Sequence, residues 1–313
     1  MFDAHLHIID PRFPLIENNG YLPTPFTVAD YRARMAGLGV DGGAVVSGSF
    51  QGSDQSYLVA ALAELGKGWV GVTQLDEGTR DRDIVRLDRR GVRGLRFNLR
   101  RGAIDMELAT TQARRAYDLV GWHSEFYVDG PMLSSLEPVI SKLPSISIDH
   151  LGMSRDGLRY LLNLVDRGAR VKASGFGRGD LDVPVALRRI HAVNPHALMF
   201  GSDLPGTRAR RPFEPADLDL IAECVGDDVD LVIGDNARTF YRLGPRKRKA
   251  APPLAPAPAP PPGPDATRPL PILAPPPVPP DIANAGDTKP MPTLTVEPNE
   301  PDTTSRLRRS GRN

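Results

Sequence analysis

Over residues 1–244, short runs of apolar residues alternate with longer stretches in which apolar side chains return at three- and four-residue steps. Runs of the first kind are those of buried strands, and stretches of the second kind those of amphipathic helices. They predict eight strands, at residues 2–9, 43–48, 69–75, 94–99, 125–129, 146–150, 170–174 and 198–203. Helices are predicted between them, at 28–38, 57–65, 82–90, 108–120, 133–143, 158–166, 183–192 and 216–225, with a last one at 236–242. Thr27 and Asp235 stand where N-caps belong. Strict strand–helix alternation implies parallel strands with right-handed crossovers. Eight such units in about 240 residues fit a closed (β/α)8 TIM barrel. An open doubly wound sheet wants a glycine-rich phosphate loop after its first strand, and His5-Leu6-His7-Ile8-Ile9-Asp10 supplies none.

The pattern stops after residue 244. Of the 32 prolines in the 313 residues, 20 fall at or beyond Pro245, and that segment has no Phe, Trp, Tyr, His or Cys. It cannot bury enough apolar surface to offset its chain entropy, so 1–244 is expected to be the barrel and 245–313 a disordered, proline-rich tail. The net charge of +1 divides into −3 on the barrel and +4 on the tail. A mildly acidic barrel argues against nucleic acid as its partner. The single cysteine, Cys224, excludes a disulfide scaffold and reads as a buried structural thiol. No apolar run approaches the roughly 18 residues of a membrane span, and Met1-Phe2-Asp3-Ala4-His5 lacks the order of a signal peptide. The expectation is a cytoplasmic protein with no membrane partner, free to form a homo-oligomer.

Barrel enzymes keep their chemistry at the C-terminal ends of the strands. Alternation along the first strand turns Asp3, His5 and His7 to one inward face. Two buried imidazoles at that spacing need partners. His150 ends the sixth strand and Asp203 the eighth, so three imidazoles and a carboxylate are expected to meet over one mouth. Such ligands suit a divalent metal. They equally suit a metal-free hydrolase, with a carboxylate base and imidazoles that polarise a carbonyl. His123, His191 and His196 read as surface or structural. The expected metal content is none, or one zinc or manganese ion held by His5, His7, His150 and Asp203.

Arginines are the second signal. In Gly94-Leu95-Arg96-Phe97-Asn98-Leu99 the apolar positions face outward and Arg96 inward, with Glu125 the expected counter-charge. Tyr127 shares the inward face of the fifth strand. Arg178 follows the seventh strand. Arg100, Arg101 and Arg208 lie at the lip, where solvated surface charge is the simplest reading. Guanidinium groups bind carboxylates in forked pairs, so Arg96, Arg178 and Arg100, with Tyr127, are expected to hold a small carboxylated substrate.

These residues resemble the amidohydrolase superfamily, through Asp-x-His-x-His on the first strand, His150 on the sixth and Gly201-Ser202-Asp203-Leu204-Pro205 on the eighth. Within it the chain looks most like the branch around 2-pyrone-4,6-dicarboxylate lactonase, through Gly91 to Asn98, Gly121-Trp122-His123, Ile148 to Gly152 and Val171-Lys172. The resemblance implies a hydrolase in which Asp203 activates water and His5, His7 and His150 polarise a lactone carbonyl. It also implies that Arg96, Tyr127 and Arg178 hold substrate carboxylates, and that the reaction runs without metal. Two other readings are expected to differ in experiment. One is a metal-dependent decarboxylase of the amidohydrolase type. The other is a barrel whose tail docks a partner of unknown identity, through the polyproline stretch at 252–280 or the basic clusters at 246–249 and 306–312.

Overall fold

The computed structural model describes residues 1–102 and 104–244, and the expectations for the tail lie outside the described residues. Eight parallel strands, each hydrogen-bonded to the next in chain order, form the predicted TIM barrel. They are β1 (Phe2–Leu6), β2 (Gly42–Val46), β3 (Trp69–Thr73), β4 (Val92–Asn98), β5 (His123–Tyr127), β6 (Ile146–Ile148), β7 (Arg170–Ala173) and β8 (Leu198–Phe200). Helices α1 (Val28–Arg34), α2 (Ser56–Leu65), α3 (Asp81–Arg89), α4 (Met106–Val120), α5 (Leu133–Ile140), α6 (Leu158–Asp166), α7 (Val183–Val193) and α8 (Ala216–Val225) follow the strands, and α9 (Asn236–Phe240) comes last among the described residues. None of them is long and apolar enough to cross a membrane.

Local sequence explains most boundaries. Thr27 caps α1, and the Asp30 carboxylate reciprocates by accepting the Thr27 N–H at 2.8 Å. The helix ends short of its predicted limit because Gly37 and Gly39 take positive φ just beyond it. Asp235 caps nothing: a wide helical turn over Leu231–Asp235 runs straight into α9. Cys224 is half-buried rather than buried, its Sγ 3.8 Å from the Pro184 carbonyl.

The apolar residues form two cores. Outward-facing strand residues such as Leu95 and Phe97 pack under the helices, with Phe97 stacked on Phe126. A smaller core of Phe2, Ala4, Val46, Val72 and Met199 fills the bottom of the barrel, closed by Tyr241 at the end of α9.

The alternation expected along β1 is broken. Asp3 lies opposite Gly43 and Leu6 opposite Val45, so three steps on β1 match two on β2, a β-bulge. Phe2 and Ala4 therefore face the interior, and after the bulge His5 and His7 do so. Asp3 turns instead toward α1, where it accepts the Tyr31 hydroxyl at 2.9 Å. Its other oxygen accepts the N–H groups of Ser202 at 2.8 Å and His5 at 3.1 Å. The carboxylate thus satisfies donors that the bulge takes out of the ladder.

The first and last strands join just above β8. Asp203 N–H donates to the His5 carbonyl at 2.7 Å and His7 N–H to the Leu204 carbonyl at 2.8 Å. Gly201 permits this closure, since a Cβ there would lie 2.7 Å from the Cβ of His5. β6 and β8 are shorter than predicted. His150 and Asp203 lie past their ends with φ of 52° and 56°, a left-handed conformation that costs an L-residue on the order of 1 kcal/mol. That turn brings both side chains over the mouth of the barrel.

Candidate active site

Three layers stack along the barrel axis. The apolar plug lies lowest. Above it Arg96, Glu125, Asp149 and Lys172 form a buried ionic layer from β4, β5, the end of β6 and β7. Lys172 pairs with Glu125 and lies 3.8 Å from Asp149. Arg96 donates through Nη2 to Asp149 Oδ2 at 2.9 Å and through Nη1 to the Ser47 carbonyl at 2.7 Å. Asp149 is therefore the principal counter-charge of Arg96, with Glu125 at 3.9 Å and committed to Lys172. Two cations and two carboxylates balance, as buried charge requires.

The reactive layer sits on top. Asp203 Oδ1 is buried, accepts no hydrogen bond, and lies 3.9 Å from His5 Nε2, 3.7 Å from His7 Nε2 and 3.9 Å from His150 Nε2. Its partner oxygen accepts from Arg178 Nε at 2.6 Å, and Arg178 Nη2 donates to the Thr207 carbonyl at 2.8 Å. Burial resists the charge on Asp203, but Arg178 and the surrounding imidazoles outweigh it and hold the carboxyl well below the usual range. Asp149 is held low in the same way: Arg96 and Lys172 prevail over burial.

Outer contacts orient the rings. His7 Nδ1 lies 2.7 Å from the Val46 carbonyl, which only an N–H can satisfy, so the Nε2 of the neutral ring carries a lone pair. His150 Nδ1 meets Ser174 Oγ at 3.0 Å, and Gly175 leaves the room, since a Cβ there would lie 2.7 Å from that nitrogen. His5 Nδ1 lies 3.3 Å from both Lys172 Nζ and Asp149 Oδ1.

The orphaned atoms of the site suit a divalent cation. Asp203 Oδ1 and His5 Nε2 are both buried without a hydrogen-bond partner and belong to one group, with His7, whose ligand atoms lie within 4.8 Å of one another. Imidazole nitrogen and carboxylate oxygen at that spacing fit one zinc-like ion.

Above the floor opens a cleft of about 360 Å³. Arg96, Arg101, Arg178 and Arg208 line it, with no carboxylate among its described lining residues. Tyr127 stands against the His150 ring edge-on at 5.2 Å, with the Arg96 guanidinium 5.2 Å from its own ring. Arg100 points elsewhere and pairs with Asp129. Its neighbour Arg101 enters the cleft, and Arg208 stacks 4.4 Å over Tyr21. Of the remaining histidines, His123 is buried at the barrel bottom against Phe240, His191 pairs with Asp228 at 3.1 Å and His196 meets Asn236.

The sequence reading gave no role of their own to Asp149 and Lys172, and it read Arg101 and Arg208 as solvated. A signal for Lys172 existed, since it alternates inward between Val171 and Ala173 as Arg96 does between Leu95 and Phe97. For Arg101 and Arg208 no local pattern distinguishes a cleft-facing arginine from a solvated one.

The buried imidazoles make stability depend on pH. Burial pushes His150 down to about 3, His5 well below its ordinary value and His123 below it as well. The unfolded chain therefore binds protons below about pH 6.5 that the fold refuses, so stability is lost as pH falls, by about 1.4 kcal/mol per pH unit for each group. Asp3, raised by burial to about 6, works in the opposite sense between about 4 and 6 and offsets one of the three. Thermal melts should show a midpoint that is flat above about pH 7 and declines below it. A midpoint that climbs from about pH 7 to 5 would contradict this account.

Comparison with known proteins follows the same geometry. The amidohydrolase family profile matches residues 2–243. A 2-pyrone-4,6-dicarboxylate hydrolase of Comamonas testosteroni is 29% identical over 160 residues, which are 48% of this chain and 51% of that protein. The chain thus matches about half the length of that relative. A 4-sulfomuconolactone hydrolase of Rhizobium radiobacter is 28% identical over 269 residues, 76% of this chain and 89% of that protein. Among solved structures, an apo Agrobacterium tumefaciens protein superposes with a TM-score of 0.69 at 24% identity, covering 78% of this chain and 96% of the other, a likeness of fold. With the family's profile spanning the whole barrel, from the histidine-bearing first strand to the helix that plugs the bottom, the chain belongs to the amidohydrolase family.

Proposed function

We propose that this protein hydrolyses small lactones that carry carboxylate groups. The observation that supports it most is Asp203 Oδ1, an ionised oxygen without a hydrogen bond, ringed by three imidazoles beneath a cleft lined by four arginines. A water placed beside Asp203 Oδ1 and the His7 Nε2 lone pair donates to both. As its oxygen attacks the lactone carbonyl, one proton passes to Asp203. The negative oxygen of the tetrahedral intermediate is held by donors on the His5 and His150 side of the site. Collapse breaks the ring C–O bond, the departing oxygen takes the proton from Asp203, and an open-chain acid leaves. Arg96, Arg101, Arg178, Arg208 and Tyr127 would anchor the substrate's carboxylates, an assignment that favours Arg101 over Arg100. Arg96 and Arg178 retain free N–H groups for this, because each spends only part of its five donors within the protein.

When bound by His5, His7, His150 and Asp203, a divalent cation would supply Lewis-acid polarisation of the carbonyl and a more acidic water. A decarboxylase acting through that ion is the second reading, favoured by the same donor set.

The test is a panel of mono- and dicarboxylated lactones, assayed with and without chelator alongside elemental analysis. Ring opening that releases one acid per turnover is expected. Carbon dioxide released without ring opening, from protein carrying stoichiometric metal, would replace this reading with the lyase.

A further inference from the structure

We propose that Lys172 is a positioning residue that keeps the proton of His5 on Nε2, so that His5 donates the hydrogen bond to the carbonyl oxygen under attack. The second half of this inference rests on the lactonase reading; the first half concerns the protein alone.

Three groups surround His5 Nδ1: Lys172 Nζ and Asp149 Oδ1 each at 3.3 Å, and Glu125 Oε1 at 3.6 Å. Lys172 Nζ meets it in hydrogen-bonding geometry. Asp149 Oδ1, though as near, has no partner in hydrogen-bonding geometry, and neither has Glu125 Oε1. An ammonium group has donors only, so the nitrogen it meets must offer a lone pair. A neutral imidazole whose Nδ1 is an acceptor carries its proton on Nε2. A ring that accepts a hydrogen bond at Nδ1 carries a single proton and is neutral. Lys172 is itself fully buried and tied to Glu125, so it is held where it points.

His7 is set the other way. Its Nδ1 must donate to the Val46 carbonyl, and its Nε2 is an acceptor. Two rings two residues apart in sequence, with centroids 5.1 Å apart and edges crossed, thus present opposite chemistry to the same space. His7 accepts a hydrogen bond from water, and His5 offers one to the carbonyl. His5 Nε2 has no partner in the protein, which leaves its N–H free for the substrate. A cation at the imidazole cluster would require His5 to give up this tautomer, against Lys172.

The experiment is a long-range proton–nitrogen correlation spectrum of the full chain labelled with nitrogen-15 histidine, with His5 assigned by comparison with His5→Gln. The expected pattern is a protonated Nε2 and bare Nδ1 at His5, with the reverse at His7. A protonated Nδ1 at His5 in the wild-type chain would overturn the proposal, whatever becomes of any variant. Lys172→Met should mix or reverse the His5 tautomers and lower kcat by roughly 10- to 100-fold with KM nearly constant. A folded Lys172→Met protein with the wild-type tautomer would also overturn it. If the tautomers are as expected but no lactone is opened, the proton assignment stands and the proposed reaction falls.

Discussion

Asp203→Asn is expected to lower kcat by roughly three to four orders of magnitude while leaving KM within a few-fold of wild type. The substitution keeps the shape of the side chain. Arg178 fixes its orientation, since its Nε requires an oxygen at the Oδ2 position. The amide NH2 is thereby turned to where Oδ1 sits among the imidazoles, and it offers a proton where the reaction needs an acceptor. A carboxyl held so far below its usual range is a weak base. The site therefore depends on where the oxygen is held, as expected of a group acting through position. Steady-state kinetics on a lactone found active in the panel, with a melt to confirm folding, measures the effect. Turnover within tenfold of wild type would remove Asp203 from the role of base.

The second large effect is on stability. Glu125→Gln is expected to destabilise the fold by about 3–5 kcal/mol, which for a domain of this size lowers the melting midpoint by about 10 °C. Glu125 is fully buried, pairs with Lys172, and lies 3.7 Å from His123 and 3.9 Å from Arg96. Removing its charge leaves the Lys172 ammonium with Asp149 at 3.8 Å as its remaining counter-charge and gives the layer a net positive charge. Adding Lys172→Met removes that uncompensated ion, so the double variant should melt above the Glu125→Gln single variant. A single-variant shift of less than about 2 °C would show that the layer is not electrostatically interlocked.

Both expectations depend on features that were unequally legible in the sequence. Strand and helix order follows from local periodicity, and so does the inward direction of Arg96, because Leu95 and Phe97 must face the helices. The partner of Arg96 does not follow. Asp149 is 53 residues away in sequence, and strand alternation alone made Glu125 on the adjacent strand an equally reasonable neighbour. Along β1 the period-two rule itself failed. One extra residue in the bulge sends Asp3 to the helix side, and no residue type between Phe2 and Leu6 announces it.

The sequence by itself determined a TIM barrel and the elements that carry His5, His7, His150 and Asp203 toward its mouth. These are properties of hydrophobic spacing and of residues close together in the chain. The tertiary structure alone decided the rest: the closure of the barrel through Gly201 and the His5 backbone, the left-handed turns at His150 and Asp203, the choice of Arg101 over Arg100 for the cleft, and the contact of Lys172 with His5. Each is a contact between residues far apart in sequence, or a backbone turn imposed by such contacts. Their free energies depend on which groups are brought within a few ångströms in a dry interior, and a linear pattern carries no information about that distance.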